Sequence, residues 1–247
     1  MSEINSDELN SKIERHRDKI NSTLERWDSI PEEQKPYFRL ARSARSIGVY
    51  FILLENQKKS NKWFTKATAW FRDNREKVRG EHNEPQIAMW SLVVAVLSAK
   101  DELAQEVAVE IVKEGIKHTS PTYFTYFAEG LAHLILGNDD AVNELGDSLT
   151  ALEPDAPENL DFYPGLGDAH KAIVAEELDA LDTALERVLS WHTNEMVPTL
   201  GELSDDALVC FPATVFLLLA KNRGFEVRKL DAFNSKYIPQ ALFDRGS

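Results

Sequence analysis

The fold is decided by one uncharged stretch near the carboxyl end of the chain, Ala207-Leu-Val-Cys-Phe-Pro-Ala-Thr-Val-Phe-Leu-Leu-Leu-Ala220. A segment this apolar predicts a helix that is covered by protein on every side. Asp205 and Asp206 precede it and Lys221 follows it, a charge order that favours a helix start and a helix end. The stretch is shorter than the ~20 apolar residues that cross a bilayer. We therefore expect a buried core helix and no membrane association, with a kink or a restart at Pro212.

The rest of the chain is predicted to be helical, because apolar residues recur at steps of three and four. No convincing alternating run appears apart from a short extended piece at Phe225–Arg228, and a long proline-containing loop is expected at Glu153–Gly167. The predicted helices cover residues 9–27, 63–78, 87–99, 100–118, 123–136 and 141–152, together with a segment from near Glu32 to Leu54 that has Pro36 in its first turns. A further pair of helices is predicted within residues 172–191. We expect a turn at residues 56–61, an N-terminal cap at Ser120 and a break at residues 197–201.

Pairs of helices at intervals of roughly 35 to 40 residues are typical of helical-repeat proteins, although no common residue pattern aligns across the pairs. No flexible linker divides the chain. We therefore predict an all-α fold in which residues 1–247 form a single domain, an array of antiparallel helix hairpins around a buried C-terminal helix.

Composition narrows the classes of function. The chain has 247 residues, 43% of them hydrophobic, which is enough for a substantial core. Its polar amino-terminal segment lacks an apolar signal core, and Cys210 is the only cysteine, so we expect a cytoplasmic protein whose thiol fills the core. The net charge of -13 argues against nucleic acid as a general partner, because such binding relies on neutralising phosphates.

The charge is distributed unevenly along the sequence. Residues 35–79 contain 12 Lys and Arg against 3 Asp and Glu, a net charge of +9. Residues 139–206 contain 2 Lys and Arg against 18 Asp and Glu, a net charge of -16. Either both segments present solvated helix faces, or the acidic one selects a basic partner electrostatically.

The chain carries no recognisable catalytic motif. Its six histidines form no HExxH pair, and no GxSxG elbow is present. The segment Gly165–Lys171 lacks the second glycine and the hydroxyl of a phosphate loop. We therefore expect no catalytic residue, no metal site, no cofactor and no enzymatic activity. We interpret three pairs of acids as helix capping charges: Asp139-Asp140, Glu176-Glu177 and Asp205-Asp206. We interpret four aromatic residues that are interleaved with basic ones as core residues rather than base-stacking groups: Trp63, Phe64, Trp70 and Phe71.

The second half of the chain resembles the immunity protein 49 family, whose members neutralise toxins of polymorphic toxin systems. Four segments carry the resemblance: Tyr126–Asn138 before a turn, Leu181–His192 ending in Trp-His, Pro212–Gly224 ending in Arg-Gly, and Asn234–Leu242 with its Ser, Tyr and Pro. The resemblance covers about residues 123–242 and departs from the family pattern at Asn138 and in the proline-rich stretch after Leu152. It implies a helical binding protein and supplies no catalytic set.

We therefore expect an immunity protein that binds and neutralises a cognate protein toxin through an acidic surface. Two alternatives stay open, a helical-repeat scaffold that binds other proteins on its concave face, and a hydrolase that uses the histidines and carboxylates. The candidate partner-binding residues are Asp161, Asp168, Glu176, Glu177, Asp179 and Asp182.

Overall fold

The computed structural model describes residues 5–117, 122–153, 162–201 and 204–244. Within these ranges all regular structure is helical and no strand forms, which confirms the all-α prediction. In chain order the α-helices are α1 Ser6–Leu24, α2 Tyr37–Leu53, α3 Gln57–Lys77, α4 Glu84–Leu97, α5 Asp101–Glu114, α6 Tyr123–Leu136, α7 Asp139–Leu152, α8 Leu166–Val174, α9 Leu178–Trp191, α10 Val197–Leu200, α11 Asp205–Leu208 and α12 Phe211–Asn222.

The helices form one array that is closed on its inner side by α12. Consecutive helices from α2 to α9 pack against each other, and α4 and α8 also pack against α6. The helix α12 packs against α4, α8 and α9, and its Phe216 ring lies 5.9 Å from the Phe127 ring of α6. All residues from Phe211 to Ala220 are buried, so the C-terminal helix is the covered core element that its sequence predicted.

Alternate helices of the array run in the same direction, so α2, α4 and α6 all begin at one end of the molecule. The helix α12 runs with them, because Phe211 and Pro212 lie beside the starts of α4 and α6, whereas Asn222 and Arg223 lie beside their ends. We call α4, α6 and α12 the inner layer, with an amino end and a carboxyl end. Each end carries a cavity, described below.

Two glycines allow α7 and α8 to cross at close range. A Cβ atom added to Gly146 would lie 2.9 Å from the carbonyl oxygen of Gly167. A Cβ atom on Gly167 would overlap the Gly146 carbonyl oxygen and the Thr150 hydroxyl. Larger residues at either position would therefore force the two helices apart.

Two prolines set helix boundaries, because proline has no N–H to donate to the carbonyl four residues earlier. At Pro212 that carbonyl belongs to Leu208, where α11 ends before α12 starts at Phe211. The predicted restart at Pro212 is thereby confirmed.

The second helix begins later than the sequence predicted. Residues Glu32–Gln34 form only a 3₁₀ turn, and α2 begins at Tyr37. Pro36 cannot donate to the Glu32 carbonyl, which accepts a hydrogen bond from Lys77 instead. The predicted start near Glu32 is therefore wrong.

Three hairpin turns use a left-handed residue that is not glycine. Glu55, Ala99 and Glu176 have φ of 55°, 59° and 58° in the α2–α3, α4–α5 and α8–α9 turns. In the first turn the Asn56 N–H donates to the Phe51 carbonyl, the bond that closes a helix in a Schellman motif. The predicted turn at residues 56–61 is wrong, because Asn56 already caps α3 by accepting from the Lys59 N–H.

The chain on either side of α11 and α12 is also more helical than predicted. A π-helical turn at His192–Met196 joins α9 to α10, so the break predicted at Val197 is wrong. The piece at Phe225–Arg228 is not extended, because Val227–Lys229 forms a 3₁₀ turn. No strand exists among the described residues for an extended segment to pair with.

Some predicted boundaries cannot be compared directly. Ser120 and residues 154–161 of the predicted loop lie outside the described ranges. The helix α6 spans the predicted residues, and Thr122 caps it through a reciprocal capping box with Thr125. The helix α5 ends at Glu114, earlier than predicted, and Gly115 follows it with a φ of 68°.

Candidate functional site

A cavity of about 400 Å³ opens at the amino end of the inner layer. Its volume falls within the range typical of small-molecule sites. Twelve of its lining side chains are apolar or aromatic and four carry amide or charged groups, a composition also typical of ligand sites. We call it the aromatic cavity; its lining residues are Phe38, Arg42, Arg45, Gln86, Met89, Trp90, Val93, Tyr123, Phe124, Phe127, Tyr163, Met196, Leu200, Asp206, Phe211 and Pro212.

A buried arginine on α2 forms one wall of the aromatic cavity. The Arg45 side chain is 2% exposed and binds both acids at the start of α11. Its Nη2 lies 2.9 Å from Asp205 Oδ2 and 2.7 Å from Asp206 Oδ2, and its Nε donates to Asp205 Oδ2 over 3.1 Å. Ser46 donates a further hydrogen bond of 2.9 Å to the same Asp205 oxygen. The arginine therefore fixes α11, and with it the start of α12, against α2.

Two aromatic rings hold the same guanidinium. The Arg45 guanidinium carbon lies 4.0 Å from the Trp90 ring centroid and 5.0 Å from that of Phe211. The two rings meet edge to face, with centroids 5.3 Å apart. Such cation–π contacts strengthen as the cation loses contact with water, and the Arg45 side chain is almost fully buried. The rings and the carboxylates together compensate the cost of burying the charge.

The two acids that bind Arg45 differ electrostatically. Burial alone would raise the pKa of Asp205, but the Arg45 charge and the hydrogen bonds from Ser46 and Arg45 hold it below its ordinary value. Burial and the adjacent Asp205 charge outweigh Arg45 at Asp206 and raise the pKa of that carboxyl group. As the pH falls, Asp206 therefore accepts a proton first, and Asp205 remains ionised as the counter-ion of Arg45.

This ion-pair group was missed by the sequence interpretation. Asp205 and Asp206 lie in the first turn of α11, as predicted, but the prediction did not include the binding of their carboxylates to Arg45. The available signal was weak: Arg45 stands four residues after Ala41 of the predicted apolar stripe, whereas Arg42 on the same helix is exposed. A charge in such a place requires a partner, but the sequence does not say which acid supplies it.

A buried histidine lies behind the cavity wall. The Nδ1 atom of His192 lies 3.2 Å from the hydroxyl oxygen of Tyr163, and its Nε2 lies 3.2 Å from the carbonyl oxygen of Ala207. His170 is also buried, between Phe127 and Phe216. Burial lowers the pKa of both imidazole rings to about 4, so both are neutral at pH 7. These contacts give both rings a structural role.

The carboxyl end of the inner layer carries a second cavity, of about 630 Å³. Asp101, Asp139 and Glu176 contribute three carboxylates to its lining, and Arg223 contributes the facing cation. Arg223 donates to Asp139 Oδ1 over 2.7 Å and to the Leu134 carbonyl over 3.1 Å. It forms no ion pair with Asp101 or Glu176. We call this feature the acidic depression.

The six predicted partner-binding residues fall into three groups. Asp161 lies outside the described residues. Asp168 and Asp182 have internal partners: Asp168 binds Arg187 over 2.7 Å, and Asp182 accepts the backbone N–H groups of two residues near the carboxyl terminus, each over 2.9 Å. The remaining three, Glu176, Glu177 and Asp179, are exposed and form no ion pair with a described residue.

Those last three residues lie close together in sequence where α8 meets α9, and we call this segment the acidic turn. It joins α8 to α9, and Glu176 belongs both to this turn and to the acidic depression. Glu176 also adopts the left-handed conformation that glycine would adopt with less strain. The structure thus exposes Glu176, Glu177 and Asp179 on one turn and gives Asp168 and Asp182 structural partners. Glu176 lines the acidic depression, whereas Glu177 lines a separate depression with Lys171 and Arg187.

One further carboxylate group has a structural explanation. Side-chain oxygens of Asp182, Glu186 and Asp231 lie within 4.8 Å of one another. Both oxygens of Asp182 already accept backbone N–H groups, from Asp231 and Ala232. The group therefore fixes the short turn at Ala232–Asn234 against α9 and carries no argument for a metal site.

Other sequence features have structural roles. Phe64 and Phe71 are buried in the core, and Trp63 and Trp70 pack against it, as the core interpretation predicted. At the start of the phosphate-loop-like segment, the Gly165 N–H donates to the Glu153 carboxylate over 2.7 Å. Cys210 is fully buried, and burial raises the pKa of its thiol to about 12.

Among the described residues, no helix combines the length and the apolar character needed to cross a bilayer. Comparison of the chain with protein-family models, with curated proteins and with solved structures gives no match. The resemblance of residues 123–242 to the immunity protein 49 family therefore stays a prediction.

Proposed function

We propose that this chain is an immunity protein that binds a cognate protein toxin and neutralises it without catalysing a reaction. The observation that carries the proposal is the acidic turn, whose three exposed carboxylates have no cationic partner among the described residues. The sequence resemblance supplies the biological class. The charge distribution supplies the mode of binding.

The charges around the acidic turn favour a basic protein surface as the partner. Glu176 shares the acidic depression with Asp101 and Asp139, so negative charge is concentrated in a concave region. Arg223 neutralises Asp139, so Asp101 and Glu176 carry the excess negative charge of this region. Excess charge in a concave region focuses the electric field and accelerates association with an oppositely charged protein. A toxin that acts on nucleic acid presents such a basic surface, and this chain would compete with the nucleic acid for it.

The scaffold alternative finds less support in the arrangement of the helices. A helical-repeat scaffold binds its partner on the concave face of the array. Here α12 packs against α4, α8 and α9 and fills that face. A scaffold built on this chain would have to use its outer surface, where the acidic turn is already the most distinctive feature.

Growth rescue tests the proposed function. The chain is expressed together with the toxin candidate encoded beside its gene, and colony growth is compared with that of cells expressing the toxin alone. We expect this chain to restore growth and to form a complex that survives size-exclusion chromatography. Growth arrest despite a folded and soluble chain would contradict the proposal.

A further inference from the structure

The aromatic cavity contains hydrogen-bond donors without protein acceptors. Arg45 uses Nε and Nη2 for its two acids, while Nη1 has no acceptor among the described residues and is not sealed in the interior. Arg42, one turn earlier on α2, is exposed at the rim and forms no ion pair with a described residue. The half-buried Gln86 amide also lines the cavity without a partner in the described chain. The cavity therefore offers donors from three side chains to a ligand.

The orientation of the surrounding helices also favours a ligand that accepts hydrogen bonds. The aromatic cavity lies at the starts of α2, α4, α6 and α12. The start of a helix carries partial positive charge, which stabilises an anion nearby. Asp205 and Asp206 carry one more negative charge than Arg45 neutralises, and the guanidinium of Arg42 at the opening brings this group of four residues to electrical neutrality.

The aromatic walls of the cavity indicate the apolar part of the ligand. Trp90 and Tyr163 contribute aromatic surface, and the cavity volume of about 400 Å³ suits a molecule of one or two rings. An ammonium ligand would meet two arginines, and a purely apolar ligand would leave the donors unsatisfied at a cost. We propose that the aromatic cavity binds a small aromatic carboxylate, with its rings against the aromatic walls and its carboxylate facing Arg42, Arg45 Nη1 and Gln86.

The carboxylate of Asp206 also lines the cavity, and its position constrains the ligand. Its Oδ2 accepts a hydrogen bond from Arg45 Nη2 over 2.7 Å, and the charge of Arg42 also acts on this carboxylate. Burial and the Asp205 charge raise the pKa of Asp206, so binding of an anion is compatible with proton uptake at this group. The ligand carboxylate then replaces the lost charge beside the two arginines.

Calorimetric titration with a matched pair of probes tests this site. The probes are 2-naphthoate and its neutral analogue 2-naphthamide, titrated into the full chain at pH 7. We expect 2-naphthoate to bind about tenfold more tightly than 2-naphthamide, the difference typical of charge-assisted hydrogen bonds. Failure of 2-naphthoate to bind at millimolar concentration, or equal binding of the two probes, would overturn the proposal.

Two arginine variants on one helix locate the binding site. Arg42→Gln should reduce the affinity for 2-naphthoate about tenfold and leave that for 2-naphthamide unchanged. Arg39→Gln removes the same charge from an exposed position on α2 that does not line the cavity, and should change neither affinity. Equal effects of the two substitutions would show that general charge drives binding, and the assignment would be wrong. Gln86→Leu is an independent variant and, like Arg42→Gln, should weaken the binding of 2-naphthoate.

The site stands independently of the proposed toxin partner. The acidic turn lies at the carboxyl end of the inner layer, and the aromatic cavity lies at its amino end. Loss of 2-naphthoate binding in Arg42→Gln with growth rescue retained would support two separate sites. Growth rescue that fails while 2-naphthoate binding persists would overturn only the immunity function.

Discussion

Arg45 and Asp205, 160 positions apart in the chain, form a buried ion pair with a separation of 2.9 Å between Nη2 and Oδ2. The pair connects the second helix of the array to the short helix that precedes the core helix α12. Because Arg45 binds the carboxylates of Asp205 and Asp206, the charged helix α11 can lie inside the domain. The ion pair also fixes one wall of the aromatic cavity.

Loss of the arginine should destabilise the fold strongly. Arg45→Met keeps much of the side-chain volume but leaves Asp205 and Asp206 without their cation, and we expect the free energy of unfolding to fall by about 3 to 5 kcal/mol. Urea denaturation followed by circular dichroism measures the change. Arg39→Met, at an exposed position on the same helix, is the control and should change the free energy by less than about 0.5 kcal/mol. Equal stability of the two variants would show that the ion pair is dispensable.

The close crossing of α7 and α8 should not tolerate a methyl group. In Gly167→Ala the added Cβ would overlap the Gly146 carbonyl oxygen, and we expect a loss of about 1 to 3 kcal/mol in the free energy of unfolding. Asn143→Ala places an alanine on the exposed side of α7 and should be neutral or slightly stabilising. A Gly167→Ala protein as stable as the wild type would mean that the two helices can separate without cost.

Stability should decrease in mildly acidic solution. Burial lowers the pKa of His170 and His192 to about 4 in the folded chain, whereas an unfolded histidine titrates near 6.5. The unfolded state therefore binds more protons between these values, and the free energy of unfolding should fall as the pH drops from about 6.5 towards 4. Each ring contributes up to about 1.4 kcal/mol per pH unit.

Urea denaturation between pH 7.5 and pH 5 measures this slope, in a range above the titration of ordinary carboxylates. His192→Gln retains amide hydrogen-bonding groups near Tyr163 and Ala207 without a titratable ring, and should remove the contribution of one ring from the slope. Burial also lowers the pKa of His16 and His133, so these two rings contribute to the slope that remains. A free energy of unfolding that stays constant down to pH 5 would contradict the neutral, buried state of both rings.

The Cys210 thiol should be inert in the folded protein. Its pKa of about 12 and its complete burial predict that labelling by Ellman's reagent at pH 8 is roughly a thousandfold slower than in the urea-unfolded chain. The absorbance of the released thiolate measures both rates. Rapid labelling of the native chain would indicate that the region between α11 and α12 opens readily.

Local sequence patterns predicted much of the fold. The uncharged stretch from Ala207 to Ala220 predicted a buried helix, and Pro212 predicted its restart, because both signals depend on residues close together in the chain. The turns at Glu55, Ala99 and Glu176 were harder to place. They adopt a conformation usually marked by glycine, so their sequences carry no marker of the left-handed residue.

The aromatic cavity was beyond prediction for a different reason. Its walls come from α2, α4, α6, α10, α11 and α12, with Tyr163 and Met196 from the segments between helices. No local pattern reveals that Arg42, Trp90 and Tyr163 face one space. The acidic surface was predicted in part, because charge density is visible in the sequence. Which acids remain unpaired depends on contacts such as Asp168 with Arg187, and only the arrangement of helices fixes those.

The central claim is that the acidic turn binds the toxin, and reversal of its charges tests it most directly. Surface plasmon resonance would compare toxin binding by the wild type with that of the triple variant Glu176→Lys, Glu177→Lys and Asp179→Lys, at two salt concentrations. The control is the triple variant Asp18→Lys, Glu25→Lys and Glu33→Lys, which makes the same change in charge at exposed positions elsewhere.

We expect the acidic-turn variant to associate with the toxin at least about tenfold more slowly and to lose most of the salt dependence of that rate, because electrostatic steering sets the association rate. The control variant should keep most of the wild-type rate and its salt dependence. Unchanged affinity and unchanged salt dependence in the acidic-turn variant would contradict the account.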